Sequence, residues 1–213
     1  MTKKERYARF IEHFQHAMPE ANTELHFDNP FQLLCAVMLS AQCTDKRVNM
    51  VTPALFKAFP TASIMAQATK DEVFDYVKSV SYPNSKAEHL VQMARLLMER
   101  YQGEVPNDFD ALIALPGVGR KTANVMLSVA FDQAAMAVDT HVFRVSHRIG
   151  LVSDKCTTPY AVEKELTKNI PDYYIPRAHH WLILHGRYVC KSQKPKCEEC
   201  GISSFCAYKA KRT

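Results

Sequence analysis

The chain has 213 residues, of which 47% are hydrophobic and 23% charged, so it can bury one sizeable core or two small ones and is not disordered by composition. Its 27 Lys and Arg against 22 Asp and Glu give a formal charge of +5, which suits a polyanionic partner without demanding one. No apolar run is long enough to cross a bilayer and the opening MTKKERYARF lacks a signal-peptide core, so a cytoplasmic protein with no membrane contact is expected.

Helical periodicity dominates along the chain. A first helix carries Phe10, Ile11 and Phe14, with no cue to what it packs against. Asn29-Pro30 supplies an N-cap and a first-turn proline before FQLLCAVMLSAQ, and Thr44, Thr61 and Thr158 offer further starts. Pro53 is expected to break or kink the stretch after Thr44. From Ser85, the residues Ala87, Leu90, Val91, Ala94, Leu97, Met98 and Tyr101 follow one helix face, and Gly103 ends it. Residues 108–114 read as a short helix, Leu115-Pro116-Gly117-Val118-Gly119 breaks it, and Arg120 restarts a helix. Pro176 begins a last one. With no alternating strand and no repeat, the expected fold is all-α. Two helical lobes are expected, residues 26–134 and residues 1–25 with 135–213.

Between the two central helices, glycines flanking one small apolar residue allow a tight turn, and the second helix opens with N–H groups suited to an anion such as a phosphate. Lys121 falls in that first turn. The positive end of the helix dipole disfavours its ammonium form, and partial burial is expected to add to the effect, leaving a usable amine. Asp139, in Val138-Asp139-Thr140-His141, is placed to cap the next helix.

Four of the seven cysteines crowd into the last 24 residues, which favours metal ligation over disulfides. Cys190, Cys197, Cys200 and Cys206 have the spacing C-x6-C-x2-C-x5-C, and four thiolates suit either zinc or an iron–sulfur cluster. The single short knuckle, Cys197-Glu-Glu-Cys200, tilts modestly towards iron. Cys35, Cys43 and Cys156 are expected to be small buried thiols.

The strings LSAQCTD at 39–45, NSKA at 84–87, LPGVGRKTA at 115–123 and VDTHVFRV at 138–145, with the cysteine spacing, resemble the helix-hairpin-helix base-excision DNA glycosylases of the endonuclease III family. The resemblance runs over most of the chain. It implies a bifunctional DNA glycosylase and abasic-site lyase, working through a lysine Schiff base and β-elimination on damaged, oxidised pyrimidines in duplex DNA. Lys121 would be the nucleophile and Asp139 its catalytic carboxylate, while His141 is left between a structural and a catalytic hydrogen bond. The four cysteines would hold a [4Fe–4S] cluster. The partner would be double-stranded DNA with its damaged nucleotide flipped out, bound by a monomer in the cytoplasm at the nucleoid.

For DNA contacts, the resemblance puts Gln42 into the space vacated by the flipped base and the hairpin residues Leu115, Gly117, Gly119 and Arg120 at the backbone. Where the family has a leucine before a tyrosine and NSKA, this chain has Ser81-Tyr82-Pro83-Asn84. Tyr82 then either stacks on a base as a wedge or packs away behind a re-routed loop. Lys191, Lys194 and Lys196, tethered between cysteines, are expected at phosphates, with Lys209, Lys211 and Arg212 following. Two other functions compete: a monofunctional adenine-mismatch glycosylase, whose family carries serine at the Lys121 position, and a non-enzymatic DNA-binding or electron-transfer protein, which would need neither Lys121 nor Asp139.

Overall fold

The structure, a computed structural model, describes residues 1–210 and is helical throughout them. In chain order the helices are α1 (Lys3–Ala17), α2 (Pro30–Ser40), α3 (Asp45–Ala58), α4 (Ala62–Gln67), α5 (Lys70–Val77), α6 (Pro83–Tyr101), α7 (Phe109–Ile113), α8 (Arg120–Phe131), α9 (Thr140–Ile149), α10 (Pro159–Asn169), α11 (Ile175–Tyr188) and α12 (Ala207–Ala210). No described helix is long and apolar enough to cross a membrane. Two compact units result, one formed by residues 24–131 and the other by residues 1–23 with 132–213.

In the unit of residues 24–131, the helix starts follow the local chemistry of the sequence. The side chains of Asn29, Thr44, Thr61, Thr69 and Asp108 each accept a backbone N–H in the first turn that follows. Each such cap contributes about 1 kcal/mol. Helix α2 is buried almost all round, from Phe31 to Leu39, and forms the centre of the unit. Around it gather Val48 and Leu55 of α3, Val73 and Val77 of α5, Leu90, Met93 and Leu97 of α6, Leu112 of α7 and Met126 of α8. Pro53 does not break the helix, since α3 continues through it from Asp45 to Ala58. A proline deletes one helical hydrogen bond, and the burial of Val48, Thr52 and Leu55 on the same helix outweighs that loss. Met98, placed on the apolar face by its spacing, is 38% exposed.

The second unit assembles its core from both ends of the chain. Phe10 and Phe14 of α1 meet Trp181 of α11, with the Phe14 and Trp181 rings stacked at 6.0 Å and 20°. The Trp181 Nε1–H donates to the Met18 carbonyl at 2.8 Å, which satisfies the one polar atom of that ring. Val142, Val145 and Ile149 of α9 and Leu166 of α10 complete the core. Helices α9 and α11 approach closely at Gly186, where a Cβ would lie 2.9 Å from the His141 Cβ. Of the three isolated cysteines only Cys35 is buried. Cys43 and Cys156 are partly exposed, since each lies in a loop between helices rather than on a core-facing stripe.

Candidate active site and DNA interface

The hairpin between α7 and α8 has two glycines with different tasks. Gly117 has φ +77°, and a Cβ on it would lie 2.8 Å from the Met38 Cε and 2.9 Å from the His89 Cβ. It therefore presses the turn onto α2 and α6, and no other residue fits both the angle and the space. At Gly119 a Cβ would meet nothing within 4 Å, so the backbone there lies open. The first helical hydrogen bond of α8 runs from the Ala123 N–H to the Gly119 carbonyl at 2.9 Å, so the N–H groups of residues 120–122 precede it. An open turn followed by such a helix start is an anion cradle.

Leu115 departs from the expected contact role. It is 2% exposed, its N–H is bonded to the Leu112 carbonyl, and its own carbonyl accepts from the Val118 N–H. It anchors the turn in the core instead of facing a ligand. Arg120 is exposed, with its guanidinium 4.8 Å from the centre of the Phe109 ring, which ties the two hairpin helices together. Lys121 occupies the first turn of α8 as expected, but it is exposed rather than partly buried.

Gln42 and Tyr82 lie on loops that face each other across the hairpin tip. Both are non-glycine residues in the left-handed region, each with φ 53°, a conformation costing on the order of 1 kcal/mol apiece. Together with Met38, Ala41, Lys86, His89 and Gly117 they line a cleft of about 190 Å³. Tyr82 immediately precedes Pro83, the first residue of α6, and is 65% exposed, so the packed-away reading does not hold. The Ser81 hydroxyl donates to the Gln42 carbonyl at 2.5 Å. Lys86 is 8% exposed and its ammonium donates to the carbonyls of Leu39, at 2.8 Å, and Ala41, at 2.7 Å. Burial pulls the Lys86 ammonium below the usual lysine range. Neither Ser81 nor Lys86 was picked out from the sequence as a functional residue. A signal for Lys86 existed, since it falls on the buried stripe of α6 with Leu90, Met93 and Leu97, where a charged residue needs a reason.

In the other unit, Asp139 caps α9. One carboxylate oxygen accepts from the N–H groups of His141 and Val142, both at 2.8 Å, while the other lies 3.2 Å from the His141 Nδ1. The carboxylate is 14% exposed and sits at the positive end of the helix, which fixes its position. His141 is held by Asp139 through both ring and backbone.

The cysteine loop follows α11. Its backbone is bound by arginines that sequence reasoning passed over. Arg144 donates to the carbonyls of Cys190 and Gly186, Arg148 to those of Lys191, at 2.6 Å, and Ser192, at 2.9 Å, and Arg6 to those of Phe205 and Gly150. The only sequence cue was the four-residue spacing of Arg144 and Arg148 on α9. Lys191, Lys194 and Lys196 are all exposed on this loop. Lys211 and Arg212 lie outside the described residues.

The four cysteines suit a shared cationic group, which would relieve the repulsion between their thiolates. The Cys200 thiol is raised above the usual range by burial and further by Cys206, Cys190 and Cys197, so the four feel one another's charge. Cationic and N–H groups sit beside the sulfurs: the Arg148 Nη1 is 3.6 Å from the Cys190 Sγ, and the His185 Nε2 is 3.7 Å from the Cys200 Sγ. Among the described residues no three His, Cys, Asp or Glu side chains gather to hold a single metal ion.

Comparison with known proteins decides what this arrangement is. Residues 35–172 match the HhH-GPD superfamily of base-excision DNA repair proteins, and residues 190–206 match the iron–sulfur binding domain of endonuclease III. Endonuclease III of Rickettsia felis is 48% identical, covering 94% of this chain and 93% of that protein. The chain belongs to the endonuclease III family. Endonuclease III of Escherichia coli K12 is 47% identical over 91% of this chain and 90% of its own length. Among solved structures, a trapped endonuclease III–DNA covalent intermediate, an estranged-adenine complex, matches with TM-score 0.92 and 42% identity over 100% of this chain and 99% of that one. A thermostable thymine-DNA glycosylase matches at TM-score 0.88 and 25% identity, over 97% of this chain and 98% of that one.

The protein is accordingly a base-excision DNA glycosylase with abasic-site lyase activity, it binds DNA, and its cofactor is a [4Fe–4S] cluster. Cys190, Cys197, Cys200 and Cys206 are the side chains that would hold that cluster, and bound there it would cross-link the loop. The adenine-mismatch and non-enzymatic readings fall away.

Proposed function

We propose that Lys121 is the nucleophile of this activity and Asp139 its catalytic carboxylate, acting on an oxidised pyrimidine nucleotide flipped out of duplex DNA. The observation that carries the reading is the place of Lys121, exposed on the first turn of α8 directly after the open backbone of Gly119. The phosphate-binding turn brings the strand to the helix start, and the covering DNA, rather than the protein, strips water from the amine.

The neutral amine of Lys121 attacks C1′, and the damaged base leaves with the electrons of the glycosidic bond. The capped carboxylate of Asp139 stabilises the positive charge that develops on the sugar. Opening of the C1′–O4′ bond gives a Schiff base on the lysine. Loss of a proton from C2′ then expels the 3′ phosphate with its bonding pair, cutting the strand.

Gln42 and Tyr82 fill the gap left by the flipped nucleotide, with the Tyr82 ring stacking on a base. Gly117, Gly119 and Arg120 of the hairpin and Lys191, Lys194 and Lys196 of the cysteine loop hold the DNA backbone. The enzyme works as a monomer in the cytoplasm, on the DNA of the nucleoid.

Borohydride reduction in the presence of duplex DNA with an abasic site tests the assignment. Wild-type protein gives a covalent adduct and Lys121→Ala gives none. An adduct of undiminished yield from the alanine variant would remove Lys121 from the chemistry. Duplexes with single defined lesions test the substrate class, with oxidised pyrimidines released faster than alkylated purines.

A further inference from the structure

The cleft beside the hairpin holds a feature that the chemistry above leaves unused: a buried ammonium and a hydroxyl, both spent on backbone carbonyls. Helix α2 ends at Ser40, and its last carbonyls have no helical partner. Lys86 reaches from α6 to accept that task, with its Nζ 2.8 Å from the Leu39 oxygen and 2.7 Å from that of Ala41. One residue later the chain turns left-handed at Gln42, whose own carbonyl accepts from the Ser81 hydroxyl at 2.5 Å. Ser81 is in turn the neighbour of Tyr82, the other left-handed residue of the cleft.

We infer that Lys86 and Ser81 are positioning residues that hold Gln42 and Tyr82 ready, as a matched pair, for the gap in the duplex. This rests on the gap-filling reading of those two residues. A lysine ammonium costs more to bury than an alkyl side chain, and a simple stop for α2 would be served by a glycine. A charge on the carbonyls of Leu39 and Ala41, two residues apart, does something a glycine does not, because it fixes the direction in which the next residue leaves the helix. Ser81 closes the arrangement from the other side. Through its hydroxyl the Gln42 loop and the Tyr82 loop share one hydrogen bond, so neither can shift without the other. A side chain that enters the base stack from a preset backbone loses little further freedom on binding.

The same Schiff-base trapping, run on an abasic site in duplex and in single-stranded DNA, separates positioning from chemistry. Single-stranded DNA has no stack to support, so only the duplex rate depends on the pair. Ser81→Ala should lower the duplex rate about fivefold more than the single-strand rate, and Lys86→Met about tenfold more, as expected for loss of a neutral and a charged hydrogen bond. Ser81→Thr, which keeps the hydroxyl, should restore the ratio. Gln42→Ala calibrates the measurement, because it removes the inserted side chain itself. If Gln42→Ala shows the duplex-specific loss and Ser81→Ala does not, the positioning role is overturned while gap filling stands. If Gln42→Ala shows none, gap filling falls and this inference with it. Should Lys86→Met fail to fold, Ser81, on the partly exposed side of the cleft, still decides the matter.

Discussion

The two units place their functional side chains by different means. In residues 24–131 the work is done by helix ends: a capped start, a glycine turn, a left-handed residue after the last turn of α2. In the other unit the capped start recurs at Asp139, but the cysteine loop beyond α11 has little regular structure, and arginine side chains on its carbonyls hold it. The first method uses covalent backbone preferences and is local in sequence, with Lys86 and Ser81 adding long-range bonds only at the loop after α2. The second uses contacts between residues some forty positions or more apart, such as Arg148 with Lys191, and must be completed by the cluster.

Three measurements sharpen or break that contrast. The largest effect belongs to Asp139, where cap and charge can be pulled apart. Asn is as good an N-cap as Asp, so Asp139→Asn should leave the unfolding midpoint nearly unchanged while kcat falls about 100-fold. A large loss of stability with little loss of kcat would make Asp139 a structural residue only.

A second, of about 2 kcal/mol, concerns the core behind the cysteine loop. His180 is buried and its pKa is pushed down to about 3, first by burial, then by His179 and Arg187. The unfolded chain takes up this proton near the ordinary histidine value of 6.5, and the folded chain does not until far lower pH. The sign is therefore fixed: the neutral ring's contribution is full above 6.5 and is lost as pH falls towards 3. Between pH 7 and pH 5 that amounts to about 2 kcal/mol of lost stability, and His180→Gln should flatten the slope of a denaturant titration series. An unchanged slope in the variant would mean that other groups carry the pH dependence.

The smallest effect tests whether the tethered loop faces DNA. Replacing Lys191, Lys194 and Lys196 together by Ala should weaken binding about tenfold at low salt and reduce the slope of log K against log salt by about 2.7, three phosphate contacts at 0.9 each. An unaltered slope would place that loop away from the phosphates.

Much of this was legible in the sequence, and the legible part follows the first method. Asn29-Pro30, Thr44, Thr61 and Thr158 all cap helices where the sequence put them, because a cap is a short-range event. The hairpin and the cysteine spacing were readable for the same reason. Long-range partners were not. Nothing near Phe10 announces Trp181, and nothing near Arg148 announces Ser192. The expected burial of Lys121 failed for a related reason, since exposure depends on which surrounding elements reach a side chain. Pro53 shows the limit of a local rule, where a helix-breaking residue was carried by the packing of its neighbours.

The unit of residues 1–23 and 132–213 draws on α1 and on helices from α9 onward, and this orders the protein's birth on the ribosome. Residues 24–131 are contiguous and can fold as soon as they emerge. Helix α1 leaves the ribosome before all of them, yet Phe10 and Phe14 must wait for Trp181, synthesised more than 160 residues later, before they are covered. During that interval the nascent chain carries an uncovered apolar helix face, while residues 24–131 can already close their own core. Covering of α1 by Trp181 and closure of the cysteine loop that follows α11 therefore belong to the same late window of synthesis.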